Sequence, residues 1–382
     1  MAPNALFIVS DFPPAFGGGI SRYCYSLCEY SRGMMAVLTC HTNSAPHFDE
    51  KQEFLTFRAR VPLARSLISR LIQTILFNIR GVILARQLRL TTLIFGHWYL
   101  AILAPIVRYL FGLSFYVILY GGESERLQKE LLIKRVAFFA LDRANAVVVI
   151  SEHTRQEYLR CGGNNRRIVK VNPGVDIVRF TPQVNCQQII KRHTLLGKQV
   201  LLTVSRLVER KGHEVVIRAM PKIVEACPET VYLIVGAGPM DSALKTLASE
   251  QGVADKVIFV GTVPESELAA YYNACQVFIM PSRHFEGREG VEGFGIVYLE
   301  ANACGKPVIG GRSGGIIEAI DDGVSGLVID PEDSQAVADS AIKLLTDRRL
   351  SEELGRKGRY RVEREFAWEY QWKQLELILE GK

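Results

Sequence analysis

Short apolar runs alternate with amphipathic stretches along the whole chain. The apolar runs are 5–10, 36–39, 92–95, 115–119 and 146–150 in the first half, and 200–204, 231–235, 257–260, 277–280, 307–309 and 326–329 in the second half. Parallel strands are joined by crossovers that are usually helical, so this alternation is typical of parallel sheets covered by helices. The pattern therefore predicts an α/β fold class.

The two series of runs are separated by a polar segment at 172–191, which contains a Pro-Gly turn and Pro182. A chain of 382 residues is long enough for two domains with separate cores. We predict two Rossmann-like, doubly wound domains at 1–182 and 183–365. The amphipathic segment 366–382 predicts a C-terminal helix that packs back on the first domain.

The segment 98–120 is apolar apart from Arg108 and is long enough to cross a membrane. However, Gly112 and Ser114 divide it, and its second half is β-branched and aromatic. We therefore expect a packed helix followed by a buried strand.

The cysteine pattern indicates reduced thiols. The eight cysteines form no Cys-x-x-Cys pair, so neither a zinc site nor a disulfide framework is predicted. The first apolar run is too short for a signal peptide, and Asp11 and two prolines follow it directly. A cytoplasmic location is expected, either free or peripheral on the inner face of the membrane.

Positive charge is concentrated in one part of the first half. The chain has a net charge of +6, and residues 54–122 contain no Asp, Glu or Lys. Such asymmetry usually indicates an anionic partner. Nucleic acid is not predicted, because no interleaved aromatic and basic platform or known binding module is found. The arginines of this segment are Arg58, Arg60, Arg65, Arg70, Arg80, Arg86, Arg89 and Arg108.

A helix within this basic segment has two possible interpretations. Its apolar face would be formed by Leu67, Ile68, Leu71, Ile72, Ile75 and Ile79, and its polar face by Arg65, Ser69, Arg70, Gln73 and Arg80. Such a helix could lie on an anionic membrane surface, with segment 58–89 as the contact. It could equally be a core helix whose arginines face water. A membrane contact would favour a lipid-linked or membrane-proximal acceptor.

The segment 291–300, Val-Glu-Gly-Phe-Gly-Ile-Val-Tyr-Leu-Glu, places two carboxylates around a glycine frame. Gly293, Phe294 and Gly295 lie at a helix start, where free N–H groups can bind a diphosphate. Glu292 can accept hydrogen bonds from sugar hydroxyls, and Glu300 can accept those of a ribose. The segment is therefore a candidate site for both ends of a nucleotide sugar.

This segment resembles the E-x7-E signature of the retaining glycosyltransferases of family 4, which have the GT-B fold. Its residues are similar to those of the mannosyltransferase members. The resemblance extends over nearly the whole chain and is densest at 200–328. It implies two domains that face a central cleft, in which a hexose is moved from a nucleoside-diphosphate donor to a sugar or glycolipid acceptor.

The same resemblance implies that further residues bind the donor. Arg206 and Lys211 would bind the diphosphate, which agrees with their place after a strand, where open α/β sheets bind ligands. Gly18 and Gly19, after the first strand, would face the phosphates and the transferred sugar. The backbone at Val263 would read the base.

The chain departs from the family at Tyr120-Gly-Gly-Glu123, where many members have His-Gly-x-Glu. That histidine contacts the donor sugar in those members, so either Tyr120 replaces it or the donor differs. His97, which follows the preceding strand, has a structural or an acceptor-site role.

The sequence contains no Asp-x-Asp, so the usual carboxylate clamp for a divalent metal ion is missing, and no cofactor is expected. The resemblance implies a metal-independent reaction with retention of the anomeric configuration, in which the diphosphate takes the acceptor's proton. A sugar-nucleotide epimerase of the same fold and a non-catalytic nucleotide-sugar-binding protein remain as alternatives.

Overall fold

The computed structural model describes residues 3–14, 18–62, 66–123, 131–164, 166–284 and 290–381. The chain forms two compact units. The first comprises Met1–Pro173 and Trp368–Lys382, and the second comprises Gly174–Ala367.

The first unit contains a parallel sheet of seven strands in the order β3-β2-β1-β4-β5-β6-β7. Its central strands are buried, as their apolar sequences require. The strands are β1 (Ala5–Ile8), β2 (Met35–Cys40), β3 (Thr56–Ala59), β4 (Thr92–Phe95), β5 (Ser114–Leu119), β6 (Ala146–Val149) and β7 (Ile168–Lys170). The helices are α1 (Gly19–Tyr30), α2 (Ala45–Asp49), α3 (Leu67–Gln87), α4 (Ala104–Phe111), α5 (Leu131–Leu141) and α6 (Glu152–Arg160).

The second unit contains a parallel sheet of six strands in the order β10-β9-β8-β11-β12-β13. The strands are β8 (Gln199–Val204), β9 (Thr230–Val235), β10 (Val257–Gly261), β11 (Val277–Met280), β12 (Val308–Gly311) and β13 (Gly326–Ile329). The helices are α7 (Gln187–Arg192), α8 (His213–Ala226), α9 (Asp241–Glu250), α10 (Leu268–Ala274), α11 (Ile296–Ala303), α12 (Ile316–Ala319), α13 (Ser334–Thr346) and α14 (Arg348–Arg361). The prediction of two Rossmann-like domains is confirmed.

The chain passes into the second unit earlier than the predicted boundary at 182. Segment 174–182 belongs to the second unit because its side chains and carbonyls have partners there. The ring of Phe180 packs edge-on against Tyr272, with 5.8 Å between centroids, and Arg359 donates a hydrogen bond to the carbonyl oxygen of Phe180. The boundary therefore lies at Pro173.

The last helix, α15 (Trp368–Leu379), belongs to the first unit. Its Trp368 is buried, 5.5 Å from the Tyr23 ring and stacked on Tyr30 at 6.2 Å, both on α1. The first unit is thus built from both ends of the chain.

Helix α3 packs on the first sheet with an inner face that is partly apolar and partly polar. Its Phe77, Leu84 and Ala85 belong to the apolar core of the first unit. Gln73, Thr74 and Asn78 are buried on this face. The hydroxyl of Thr74 donates to the carbonyl oxygen of Tyr99, and the amide of Asn78 donates to that of Leu100. These bonds satisfy carbonyls of the short 3-10 turn after β4, so the polar residues are required inside.

The apolar face that the sequence predicts for α3 is nevertheless exposed. The six residues of this face are all exposed, from 40% to 71%, and they are Leu67, Ile68, Leu71, Ile72, Ile75 and Ile79. Helix α3 does pack in the core through Phe77, Leu84 and Ala85, and Arg80 and Arg86 are exposed, but the six predicted apolar residues do not form its inner face. Gln73, expected on the outer polar face, is buried, whereas Arg65 lies outside the described residues.

Helix α3 also has the length and composition of a membrane span, with 21 residues and a mean hydropathy of 1.5. Its contact with the sheet argues for a packed helix, because a Cβ at Gly81 would touch the side chain of Ile8 in β1. The segment 98–120 behaves partly as expected: β5 is buried, but α4 exposes Ile106, Tyr109 and Leu110.

Candidate active site

The candidate site of the second unit lies after three neighbouring strands. β8, β11 and β12 are adjacent in the sheet, and parallel strands end at the same edge. The loops that follow them contain Arg206 to Lys211, Pro281 to Arg283, and Ser313 to Gly315, respectively. This edge is the position at which open α/β sheets bind ligands.

Glu292 is held between two cations of the β8 loop. Its Oε2 atom lies 2.5 Å from Nζ of Lys211 and 3.0 Å from Nη1 of Arg210. Arg210 also donates a hydrogen bond of 3.2 Å to the carbonyl oxygen of Val291. The three charged side chains are 11% to 14% exposed, so water screens their attraction only weakly.

The electrostatics favour an ionised Glu292. Burial opposes its ionisation, but the charges of Lys211, Arg210 and Arg206 outweigh it and lower the pKa of Glu292 to about 2. Burial lowers the pKa of Lys211, and the charges of Arg210 and Arg206 lower it further. The charge of Glu292 raises the pKa of Lys211, but less than these effects lower it. Burial and Lys211 lower the pKa of His213 to about 3, so this histidine adds no charge. Lys211 and Arg210 thus contact the carboxylate, and Arg206 acts on it through its charge.

The glycines of the site are needed because backbones approach one another closely. A Cβ at Gly315 would overlap the carbonyl oxygen of Gly293, and one at Gly314 would overlap that of Glu292. The amide of Gly315 donates a 3.0 Å hydrogen bond to the carbonyl oxygen of Glu292. Gly295, at φ +97°, precedes α11 in the left-handed region, where glycine is favoured. The 313–315 loop thus supports the Glu292 loop directly.

Among the contacts that the structure describes, the remaining predicted residues of the second unit do not contact Glu292, Arg210 or Lys211. Glu300 is 1% exposed on α11 and accepts a 2.7 Å hydrogen bond from the hydroxyl of Tyr272. Phe294 is buried, with its ring 5.8 Å from that of Phe366. Val263 follows β10, which is separated from β8 by β9. Arg206, Lys211 and Glu292 are therefore brought together, while Phe294 has a packing role.

The first unit also gathers its candidate residues at one sheet edge, because β1, β4 and β5 are adjacent. Gly18 and Gly19 begin α1 and are exposed, and no atom of the described residues lies within 4 Å of a Cβ placed on either glycine. The Nε2 atom of His97 lies 3.4 Å from a carboxylate oxygen of Asp11. This contact with His97 lowers the pKa of Asp11. The described residues thus leave the N-terminus of α1 open to a ligand.

Tyr120 does not offer a free hydroxyl in this structure. It is buried, and its hydroxyl lies 3.1 Å from Sγ of Cys24. Glu123 accepts a 2.7 Å hydrogen bond from the amide of Tyr120, so its carboxyl closes the 120–123 turn. Among the described residues, no group of three or more His, Cys, Asp or Glu could hold a metal ion.

Two members of these clusters were missed from the sequence. Arg210 contacts Glu292, although only Arg206 and Lys211 of the same loop were predicted. Asp11 pairs with His97. Their positions after strands were the available signal, but a strand end does not specify which side chain faces which partner.

Family models match both units. The model described as Glycosyltransferase Family 4 matches residues 17–179, and the model described as Glycosyl transferases group 1 matches residues 187–361. Together they cover every strand of the two sheets except β1.

Relatives are similar over all of the chain or over more than half of it. The GDP-mannose-dependent alpha-(1-6)-phosphatidylinositol monomannoside mannosyltransferase of Mycolicibacterium smegmatis is 32% identical over 383 residues, covering 99% of this chain and 98% of the relative. A GDP-mannose-dependent monoacylated alpha-(1-6)-phosphatidylinositol monomannoside mannosyltransferase of Corynebacterium glutamicum is 36% identical over 241 residues, covering 62% of each chain.

Solved structures share the fold. HepE from Anabaena, in complex with UDP and glucose, has a TM-score of 0.82 at 18% identity and covers 100% of both chains. Sucrose-phosphate synthase from Thermosynechococcus elongatus has a TM-score of 0.80 at 22% identity, covering 99% of this chain and 98% of that one. The resemblance seen in the sequence is confirmed: the chain belongs to the family 4 glycosyltransferases and is a mannosyltransferase-like glycosyltransferase with the GT-B fold.

Proposed function

We propose that the protein transfers mannose from GDP-mannose to an inositol-containing lipid, without a metal ion and with retention of the anomeric configuration. The relatives that carry this activity in their names, one of them similar over the whole chain, support the donor and the acceptor class. The observation that carries the proposal is the cation cluster around Glu292 at the carboxyl edge of the second sheet.

The leaving group is a diphosphate, on which negative charge grows as the bond to the sugar breaks. Arg206 and Lys211 bind its oxygens and stabilise this charge, as preorganised donors do in a partly dry site. The acceptor hydroxyl attacks the anomeric carbon on the face from which the diphosphate departs. Its proton passes to a diphosphate oxygen, so that the products are the mannoside and protonated GDP.

Glu292 binds the sugar in this mechanism and does not form a covalent intermediate. Two cations hold its charge, and its pKa is lowered to about 2. A carboxylate stabilised in this way is a weak nucleophile. Its oxygens are suited to accept hydrogen bonds from sugar hydroxyls.

The acceptor lipid is reached through a surface that we call the α3–α4 face. It consists of the exposed apolar residues of α3 together with Ile106, Tyr109 and Leu110 of α4. The guanidinium of Arg86 lies over the ring of Phe111, 4.7 Å from its centroid, so the two helices meet in one surface.

Exposed arginines accompany this apolar surface, namely Arg80, Arg86, Arg89 and Arg108. Large exposed apolar patches mark interaction sites, and arginines beside them favour anionic lipid headgroups. Arg58 makes no such contribution, because its side chain is buried and lies 2.7 Å from Asp49. The α3–α4 face therefore docks the first unit on an anionic membrane, where a lipid acceptor is found.

The transfer reaction is tested with purified protein, GDP-mannose and phosphatidylinositol mannoside in mixed micelles, with UDP-glucose as a competing donor. We expect a product heavier by one hexose from GDP-mannose, unaffected by EDTA, with the anomeric configuration of the donor by NMR. Hydrolysis or epimerisation of the donor without transfer would contradict the proposal.

Two variants test the role of the cations. Arg206→Ala and Lys211→Ala should each lower turnover by about a hundredfold, since one lost preorganised donor costs about that factor. Lys222→Ala is the matched control, because Lys222 forms an exposed ion pair with Asp339. Near-normal turnover in both site variants would rule out the assignment.

A further inference from the structure

Arg210 connects three loops of the second unit. Its Nη1 atom donates to the carbonyl oxygen of Val291 at 3.2 Å and to Oε2 of Glu292 at 3.0 Å. Its own carbonyl oxygen accepts hydrogen bonds of 2.9 Å from the hydroxyl of Ser282 and from the amide of Arg283. The side chain and the backbone of Arg210 are thus both fixed.

The two cations that contact Glu292 differ in what they can do. Lys211 is a point charge on a flexible stem, and its ammonium can turn towards several oxygens without orienting any of them. Arg210 has a planar guanidinium, which contacts the carboxylate and the carbonyl oxygen of the preceding residue together. Only Arg210 therefore fixes the direction of the Glu292 carboxylate relative to its own loop.

Arg210 is also poorly placed to exchange this partner for another. Its side chain is 12% exposed, and that of Glu292 is 14% exposed. Arg206, by contrast, is exposed at the start of the same loop, and its charge still acts on Glu292 and Lys211. Lys211 is equally buried, but its ammonium can contact Glu292 and a diphosphate oxygen together, whereas Arg210 already divides its contacts between Glu292 and the carbonyl oxygen of Val291.

We propose that Arg210 is a positioning residue that orients Glu292 towards the hydroxyls of the donor's hexose, while Arg206 and Lys211 bind the diphosphate. This inference rests on the proposed function. It follows that Arg210 determines how much tighter a nucleotide sugar binds than the nucleoside diphosphate alone. The affinity for the nucleoside diphosphate itself is set by the other two cations.

The test measures the affinities of the full-length protein for GDP and for GDP-mannose by calorimetry. In Arg210→Met, the affinity for GDP should stay within about threefold of the wild type, whereas the preference for GDP-mannose over GDP should fall by ~10-fold or more, as expected for a lost hydrogen bond to a charged group. Glu292→Gln should lose the same preference. The double variant should lose no more than either single variant, because both changes remove one interaction.

Two further variants separate orientation from charge and from general structure. Arg210→Lys keeps the charge but not the planar geometry, so it should recover only a small part of the preference. Arg283→Met removes a neighbouring pair, in which Arg283 lies 2.5 Å from Glu214 and is 16% exposed, without removing a contact to Glu292. The Arg283→Met variant should prefer GDP-mannose over GDP as strongly as the wild type does.

The inference is overturned if Arg210→Met loses affinity for GDP and GDP-mannose by the same factor, if Arg210→Lys restores the preference in full, or if Arg283→Met loses the preference as well. Additive losses in the double variant would overturn it too. A wild-type protein that binds neither ligand and transfers no mannose would instead contradict the proposed function, so the two failures are distinguishable.

Discussion

Glu123 carries a titratable group whose protonation is linked to folding. Burial raises the pKa of Glu123 to about 7, and the nearby Glu157 acts in the same direction. Both carboxyl groups hold the 120–123 turn, because Glu123 accepts from the amide of Tyr120 and Glu157 accepts from that of Gly122. The folded protein therefore keeps a proton on Glu123 at pH values at which the unfolded chain, with its ordinary pKa of 4.5, has lost it.

The stability that comes from this proton is fully present below about pH 4.5 and is lost as the pH rises through about 7. Glu123→Gln keeps an acceptor oxygen for the turn but cannot ionise. Wild-type stability should therefore fall relative to Glu123→Gln between pH 5 and pH 8, by about 1–3 kcal/mol. The measurement is chemical unfolding followed by tryptophan fluorescence, because all three tryptophans lie in the first unit.

Glu152→Gln, in the same unit, serves as the control for this titration. Glu152 on α6 accepts hydrogen bonds from Gln156 and Arg155, which lower its pKa, so it titrates below the tested range. Parallel stability curves for wild type and Glu123→Gln would show that Glu123 is already ionised in the folded protein.

At the residue scale, the sequence identifies the chemistry of the site better than its partners. Arg206 and Lys211 could be predicted because a loop after a strand, with a helix following, is where anions bind. The contact between Arg210 and Glu292 could not, since a 3-10 turn at Glu209–Lys211 decides which cation faces the carboxylate. Such a local turn has no sequence signal of its own.

At the scale of elements, α3 shows that hydrophobic periodicity locates a helix face but not its direction. The periodicity identified the six apolar residues correctly as one face. The direction of that face follows from the residues that pack inside instead: Phe77 and Leu84 lie in the core, and hydrogen bonds to the turn after β4 bury Thr74 and Asn78 beside them. Buried polar groups are tolerated where each finds a partner, and that condition is visible only in the structure.

The α3–α4 face gives a testable outcome. Ile68 and Leu71 are 71% and 58% exposed, so the double substitution Ile68→Glu, Leu71→Glu should leave the melting temperature nearly unchanged. It should reduce cosedimentation with phosphatidylinositol-containing anionic vesicles at least fivefold, because each glutamate adds a desolvation cost and repels the headgroups. Raising the salt concentration should weaken wild-type binding as well.

Val178→Glu, Leu196→Glu is the matched control for this experiment, since both residues are exposed apolar side chains of the second unit. It should bind vesicles as the wild type does. Equal losses in the two double variants, or wild-type binding that is indifferent to anionic lipid, would contradict the docking surface.

The strands show a second limit of the sequence pattern. The eleven strands with continuous apolar runs were predicted, but β3 and β7 were not. Both lie at an edge of the first sheet, are only partly buried, and carry Arg58 and Lys170. Edge strands need little apolar sequence and often carry charges, so they resemble loops.

At the scale of the whole molecule, both termini contribute to the first unit. Trp368→Ala should lower the free energy of unfolding of this unit by about 3–5 kcal/mol, because a buried aromatic side chain that packs between Tyr23 and Tyr30 is lost. Hydrogen exchange resolved by peptide should show the loss of protection in α1, far away in sequence.

Tyr370→Ala is the control in the same helix, since Tyr370 is 50% exposed. Its effect should stay within about 0.5 kcal/mol. If Trp368→Ala changed exchange only in the second unit, the assignment of α15 to the first unit would be wrong.

The polypeptide crosses from one unit to the other twice, at Pro173–Gly174 and again at Ala367–Trp368. A protease cut at the first crossing would divide the chain into two fragments, yet the larger fragment would still carry the helix that the smaller one needs. The fragments should therefore stay together in native gel filtration and part only in denaturant. A gene that encoded residues 1–173 alone would produce a domain with an uncovered aromatic surface, whereas fusing α15 to its end would supply the missing cover.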